Sequence, residues 1–245
     1  MRIALLSDIH GNLLALEAVV ADIERRGADR IVNLGDILSG PLQPLETARY
    51  LMAQPWPTIA GNHERQLLAI TDEKPGGASD QYARAQLGAS ELDWLRTLPK
   101  SLQLSDEVFL CHGTPRSDIE YFLDTQDGAR LRTAASDEVA ERLGDERSTV
   151  VCCGHTHVPR LLRSARGQWL VNPGSVGLQA WDDDHPVFHV AETGSPDARY
   201  AIIEQRPEGW SCELISVPYD HEAAARLASA HGREDWARWL RTGWA

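Results

Sequence analysis

The chain opens on a short apolar run, residues 2–6, which reads as a buried strand. The period then changes. Leu13, Leu16, Val20 and Ile23 recur at helical spacing, and this predicts an amphipathic helix that stops at Gly27, where a C-cap glycine belongs. Residues 30–34 return to an apolar run. Strand, helix and strand joined by short connections form a βαβ unit, so the two strands should be parallel neighbours. Pro41 and Pro44 open a second helix over 45–53, and a short third strand follows at 57–60. A helix is expected from 65 to 70. The stretch 71–79 is polar and rich in Gly and Pro, so it reads as a loop, with two helices after it near 80–87 and 91–98.

The second half is richer in strands. Residues 107–111 and 149–153 are apolar runs, and the charged, irregular segment between them, 116–147, reads as an insertion or cap with a helix at 136–143. Three shorter β-like runs come next, at 160–163, 168–171 and 186–190. The segments 199–204 and 211–217 pattern as a hairpin joined through Pro207-Glu208-Gly209. Helices over 221–231 and 234–240 end the sequence, with Trp236 and Trp239 read as packing residues. The pattern as a whole gives an α/β chain with an early parallel and a later antiparallel portion. It does not by itself show how many sheets there are.

Polar clusters punctuate this pattern at strand ends. The first strand runs into Ser7-Asp8-Ile9-His10-Gly11-Asn12. On a chain still extended there, Asp8 and His10 point the same way, and an oxygen donor beside an imidazole suits a first-row metal. Gly11 permits a sharp turn and Asn12 can cap the helix. The second strand ends in Gly35-Asp36, the third in Gly61-Asn62-His63-Glu64, the next in His112-Gly113, and the strand at 149–153 in Gly154-His155-Thr156-His157. Open α/β sheets bind ligands outside the carboxyl ends of such strands.

Composition narrows the choices. A formal net charge of -12 argues against a basic footprint on nucleic acid and against attraction to an anionic membrane. A metal site can reverse that sign locally, so a small phosphorylated substrate fits. The 245 residues, 42% hydrophobic, suit one domain with a sizeable core, and two small domains also fit that length. Cys111, Cys152, Cys153 and Cys212 form no C-x-x-C pair, which suits a reduced, cytoplasmic protein. No basic segment followed by a long apolar run opens the sequence, and no apolar run approaches the ~20 residues of a membrane span.

Taken together and in order, the five fragments resemble the calcineurin-like metallophosphoesterase superfamily, nearer its small bacterial and archaeal phosphodiesterases than its protein phosphatases. The resemblance covers residues 1–177. It implies a four-layer αββα sandwich, two mixed β-sheets face to face with helices outside. It implies two divalent transition-metal ions, manganese first, with iron, nickel or zinc as alternatives. Asp36 would bridge the two ions. Asp8, His10 and His157 would complete one site, and Asn62, His112 and His155 the other. The implied reaction is hydrolysis of a phosphodiester, or a phosphomonoester, by a hydroxide shared between the ions, with His63 as the catalytic histidine that protonates the leaving oxygen. Glu64 would support the site from behind or start the helix. Gly174-Ser175 would place backbone N–H groups near the phosphate, support the metal histidines, or form a plain turn. The relatives that carry Asp-Arg-Gly after Gly-Asp bind phosphate with arginines. Here Gly35-Asp36 runs into Ile37-Leu38-Ser39-Gly40-Pro41 with no arginine, so that mode of phosphate binding is in doubt, and Arg65 or Arg116 could substitute. A catalytically silent scaffold of the same fold and a nuclease are the alternatives to an enzyme acting on small esters. The intact ligand set favours an enzyme, and the acidic balance disfavours a nuclease.

Overall fold

A computed structural model describes residues 1–245. Its elements begin with β1 (Arg2–Leu6), α1 (Leu13–Arg26), β2 (Arg30–Asn33), α2 (Pro44–Met52), α3 (Asn62–Leu68), α4 (Ala78–Gln86) and α5 (Ala89–Thr97). Next come β3 (Ser101–Ser105), β4 (Val108–Cys111), β5 (Asp124–Asp127), β6 (Arg130–Thr133), α6 (Ser136–Leu143), β7 (Val150–Cys152), β8 (Arg160–Arg163) and β9 (Trp169–Asn172). The remainder holds β10 (Ala180–Asp183), β11 (His189–Glu192), β12 (Ala198–Arg206), β13 (Gly209–Val217), α7 (His221–Ala230) and α8 (Glu234–Thr242). Asn12 accepts a hydrogen bond from the Ala15 N–H and Gly27 closes α1 at φ 74°, both as the sequence indicated.

The strands form three mixed sheets, ordered β13-β12-β1-β2, β3-β4-β7-β9-β8 and β10-β11-β6-β5. β1 and β2 pair in parallel, as the βαβ pattern requires, and the later β12–β13 hairpin is antiparallel. Alternation along β1 shows why the first two sheets stack. Ile3 and Leu5 share a buried cluster with Val32 and Leu34 and with Val108, Leu110, Val150 and Val171 of the second sheet. Ala4 and Leu6 point the opposite way, into Leu16, Val19 and Val20 of α1 and Leu51 of α2. The far face of the second sheet buries Val151 and Leu170 against Val139 and Leu143 of α6. Helix, sheet, sheet and helix give the expected four layers. Each fully buried Leu or Ile in these layers contributes about 1.5–3 kcal/mol.

The third sheet stands outside that scheme, and the sequence pattern did not show it. β5 reads Asp-Thr-Gln-Asp and β6 reads Arg-Leu-Arg-Thr, short and polar, so no apolar alternation announced them. They are strands because they pair with each other and with β11. β3 and β10 were missed as well. The expected third strand at 57–60 is reduced to a single parallel bridge, Asn33 to Thr58. Pro57 has no N–H to offer a ladder. α3 starts earlier than expected, so Asn62 and His63 occupy its first turn. No helix is long and apolar enough to cross a membrane.

α7 and α8 pack on each other through Ala224, Ala225, Ala228, Trp236 and Leu240, in a cluster that includes Ala180 of β10. This places α8 beside the strand ends that carry the polar clusters.

Candidate metal centre

The loops leaving β1, β2, β4 and β7 converge. Asp8, His10 and His157 bring one ligand atom each within 4.8 Å of one another, and Asp36, His112 and His155 do the same. An approach of 4.0 Å between His112 Nε2 and Asp8 Oδ1 links the two groups. Asn62 joins the second, with its Oδ1 3.2 Å from His112 Nε2.

The backbone there is unusual. Asp8, His10, Asp36, His155 and His157 have φ between 53° and 70°, and they are the only non-glycine residues in the chain with positive φ. A left-handed residue other than glycine costs about 1–2 kcal/mol, so five in one place are held by their surroundings. The extended geometry expected for Asp8 and His10 is therefore corrected. Their side chains converge through left-handed turns around Ile9, with Gly11 at φ 68° completing the bend. Backbone bonds stitch the first two loops together: Asp8 N–H to Gly35, His10 N–H to Asp36 and Gly11 N–H to Ile37, at 2.9–3.1 Å. The 172–178 turn secures the first loop from the other side. The Ser175 hydroxyl donates to the Asp8 carbonyl at 2.7 Å, and Gly177 N–H donates to the same oxygen at 3.0 Å. Of the readings open for Gly174-Ser175, support of the cluster is the one these bonds favour.

Each imidazole has one nitrogen committed to a backbone carbonyl. The Nδ1–H groups of His10, His112 and His157 donate to Ser39, Leu34 and Leu178 at 2.7–2.8 Å. His155 uses Nε2–H instead, to Ile119 at 3.1 Å. A carbonyl only accepts, so these bonds fix which nitrogen of each ring faces the cluster: Nε2 of His10, His112 and His157, and Nδ1 of His155. His10 Nε2 and His157 Nε2 lie 3.1 Å apart. Burial and the neighbouring His157 push His10 down to about 3, so His10 presents a lone pair at Nε2. Burial and His112 likewise push His155 down to about 4. Bare imidazole nitrogens facing carboxylates are what a cation requires, so the residues fit divalent metal ions.

Asp36 sits at the centre. Its Oδ2 lies 2.9 Å from His112 Nε2, and its Oδ1 accepts the His63 N–H at 2.9 Å. Burial alone would raise its pKa, yet the surrounding imidazoles, His112 foremost, hold it well below the usual carboxylate range. Glu64 supports it from behind by accepting the N–H groups of Asp36, Ile37 and Gly61 at 2.8–2.9 Å. That matches the supporting role expected of Glu64.

His63 lies against this cluster with its ring 5.3 Å from that of His10. Its Nδ1 is 2.8 Å from Oδ1 of Asp80, a buried carboxylate in the first turn of α4. Burial opposes its charge, but Asp36 and Asp80 prevail and raise it to about 9. His63 is thus an imidazolium at neutral pH, and Asp36 likewise raises His112 to about 10.

A cavity of about 970 Å³ opens over these groups. Its floor and walls include His10, Asp36, Asn62, His63, His155 and His157, together with Tyr121, Trp181, Arg233 and Trp236. Trp236 and Trp239 are buried packing residues, as read, and they also line this space. Arg65 and Arg116 do not reach it. Arg65 is bound by Asp118, and Arg116 by Glu120 and Glu141. The expectation that either supplies a phosphate contact is corrected on that ground. The arginines that do line the cavity are Arg142 and Arg233. Arg142 donates to the Phe122 and Asp124 carbonyls, and Arg233 is paired with Asp235 and Ser79. Of the histidines outside the motifs, His189 is buried and bonded to the Tyr121 hydroxyl at 2.7 Å, while His185 lies on the cavity rim. Asp80, Tyr121, Trp181 and Arg233 carried no motif in the sequence. An acidic residue in a helix's first turn is ordinary, so Asp80 gave no signal of its own.

Comparison with known proteins agrees with this geometry. The calcineurin-like phosphoesterase superfamily domain matches residues 1–195. An uncharacterized protein of Methanocaldococcus jannaschii is 25% identical over 248 aligned residues, covering 96% of this chain and 94% of the relative. The crystal structure of a metallophosphoesterase from Sphaerobacter thermophilus superposes with a TM-score of 0.76 at 26% identity, covering 98% of each chain. A hypothetical protein from Pyrococcus horikoshii shares the fold at TM-score 0.74 and 18% identity, over 99% of this chain and 98% of that one. The chain belongs to the calcineurin-like phosphoesterase superfamily.

Proposed function

We propose that this protein is a dinuclear metal-dependent phosphoesterase that prefers phosphodiesters to phosphomonoesters. The observation that carries the reading is the adjacency of two three-residue ligand groups, joined by the 4.0 Å approach of His112 Nε2 to Asp8 Oδ1, with His63 beside them. Asp8, His10 and His157 would hold one ion, Asn62, His112 and His155 the other, and Asp36 both. Mixed imidazole and oxygen donors suit manganese, iron, nickel or zinc better than calcium or magnesium. When bound, a pair of such ions supplies Lewis-acid polarisation of the phosphoryl group and a water of lowered pKa.

The chain's own residues would do the rest. Asp36 is held ionised, so it presents a full negative charge to the ligand pocket at neutral pH. His63 keeps Nδ1 on Asp80, and its Nε2–H is left to donate to the leaving oxygen. Because His63 is raised to about 9, it carries that proton through neutral pH. Two features support a diester. A monoester dianion calls for a further cation, and both arginines on the cavity wall are already engaged. A diester needs space for a second ester arm, and the cavity is far larger than one phosphate.

The test is metal analysis alongside hydrolysis of bis-p-nitrophenyl phosphate and p-nitrophenyl phosphate by manganese-loaded protein. The expected result is about two ions per chain and faster turnover of the diester. A folded, fully loaded protein that hydrolyses neither ester nor any nucleotide diester would overturn the reading and leave a silent scaffold.

A further inference from the structure

We propose that Asp80, at the start of α4, is the positioning residue for His63, and that α8 holds it in place through Arg233. The role rests on the phosphoesterase reading for its kinetic consequence and on geometry alone for its structural one. His63 is the one histidine lining the centre whose second nitrogen meets a side chain instead of a backbone carbonyl. Its Nδ1 donates to Asp80 Oδ1 at 2.8 Å. That bond is the only hydrogen bond to the Asp80 side chain, although Asp80 is 4% exposed. A carboxylate buried at a helix start ordinarily caps backbone N–H groups, but this one binds none of them. It is therefore committed to the imidazole.

The bond fixes two things. It removes Nδ1 from competition, so Nε2 is the nitrogen left for a substrate. It also restrains the ring's rotation about χ2, which backbone packing does not do for a side chain 28% exposed. The helix bearing Asp80 is itself restrained. Arg233 Nη1 donates to the Ser79 hydroxyl at 2.9 Å, while its Nε and Nη2 grip Asp235. The Arg233 guanidinium also lies 5.6 Å above the Trp236 ring, and Trp236 packs edge-on to His10. So a line of contacts runs from α8, beyond the 1–195 family match, through Ser79 and Asp80 to His63.

The experiment is a double-mutant cycle between Asp80→Asn and His63→Ala in manganese-loaded protein, with bis-p-nitrophenyl phosphate and diphenyl phosphate as substrates. Asp80→Asn should lower kcat by roughly 10- to 100-fold with KM within about twofold, because a misaligned donor costs turnover rather than binding. The loss should be larger for diphenyl phosphate, whose leaving group needs the proton more. In the His63→Ala background Asp80→Asn should change nothing further. Arg233→Gln should give a smaller loss, and it too should vanish without His63. In parallel, imidazole ¹⁵N spectra of zinc-loaded protein should show the His63 nitrogen pattern change in Asp80→Asn while the other ring signals stay put. An equal loss in both backgrounds, or a His63 signal indifferent to Asp80→Asn, overturns the proposal. Zinc-loaded spectra decide the Asp80–His63 bond even if no ester is hydrolysed, so failure of the phosphoesterase reading would be seen separately. If Asp80→Asn fails to fold, Asp80→Glu takes its place in the same cycle, with partial recovery of the wild-type ¹⁵N pattern expected.

Discussion

Asp36 is where the chemistry of single side chains is most exposed to test. It meets His112 at 2.9 Å and accepts the His63 N–H, and in the proposed function it is the carboxylate that would reach both ions. Asp36→Asn keeps the shape and removes the charge. It should lower metal occupancy, read by elemental analysis after dialysis, and activity in the same proportion. His63→Gln should do the opposite: both ions stay, and turnover of bis-p-nitrophenyl phosphate falls by about 10²-fold or more. Equal turnover in that variant and wild type would remove His63 from the reaction. Gly61 can be judged in the same way, since a Cβ there would stand 2.2 Å from Asp36 Oδ1. Gly61→Ala should therefore cost metal occupancy as Asp36→Asn does, with the fold retained by circular dichroism. Residues of this kind were legible in the sequence because each follows a strand and belongs to a short motif. Asp80 and Tyr121 were not, because their neighbours in space lie 17 and 34 or more positions away in the chain and no pattern marks them.

Among the elements, the third sheet is the one whose purpose the hydrophobic pattern concealed. β5 is polar, yet Asp124 at its start is fully buried. Its Oδ2 accepts the Thr156 hydroxyl at 2.8 Å and its Oδ1 accepts from Arg160 at 2.9 Å. Thr156 sits between His155 and His157, both in left-handed conformations. The sheet thus braces the tightest turn of the site from outside the sandwich. Thr156→Val removes the hydroxyl at nearly constant volume and leaves Asp124 with one partner fewer. Its expected effect is a metal affinity weaker by about 10- to 100-fold with the protein still folded, measured by competition with a chelating dye. Unchanged affinity would reduce β5 to a cover over the cavity. Helices and long strands were readable from periodicity because burial wrote apolar residues onto one face of each. Short polar strands such as β5 and β6 hold their place by pairing and by buried ion pairs, and neither leaves a period in the sequence.

For the molecule as a whole, the centre gathers groups that a cation would satisfy. Five left-handed residues are gathered there, His10 Nε2 and His157 Nε2 lie 3.1 Å apart, and Asp8 and Asp36 are buried in a chain of net charge -12. The four-layer core tolerates this because its apolar clusters lie on both sides of the sheets and anchor the loops themselves through Ile9, Ile37, Leu38 and Val176. Divalent ions would answer the buried carboxylates and the imidazole nitrogens together. They bind the folded chain and have no comparable site on the unfolded one, so they must raise stability. At a free concentration of about 100 Kd the gain is about 2.7 kcal/mol per site. For a chain of this length each kcal/mol moves the melting temperature by about 2–4 °C. Manganese chloride should therefore raise the midpoint of the chelated protein by roughly 5–10 °C or more, and magnesium chloride at equal concentration by much less, because the donors are rich in imidazole. Sodium chloride at matched ionic strength separates relief of general acidic repulsion from occupancy of the site, and should move the midpoint little. Asp36→Asn should melt near the chelated wild type and lose most of the manganese increment. Identical midpoints for chelated and manganese-loaded wild type would mean that these side chains hold no ion, whatever their arrangement.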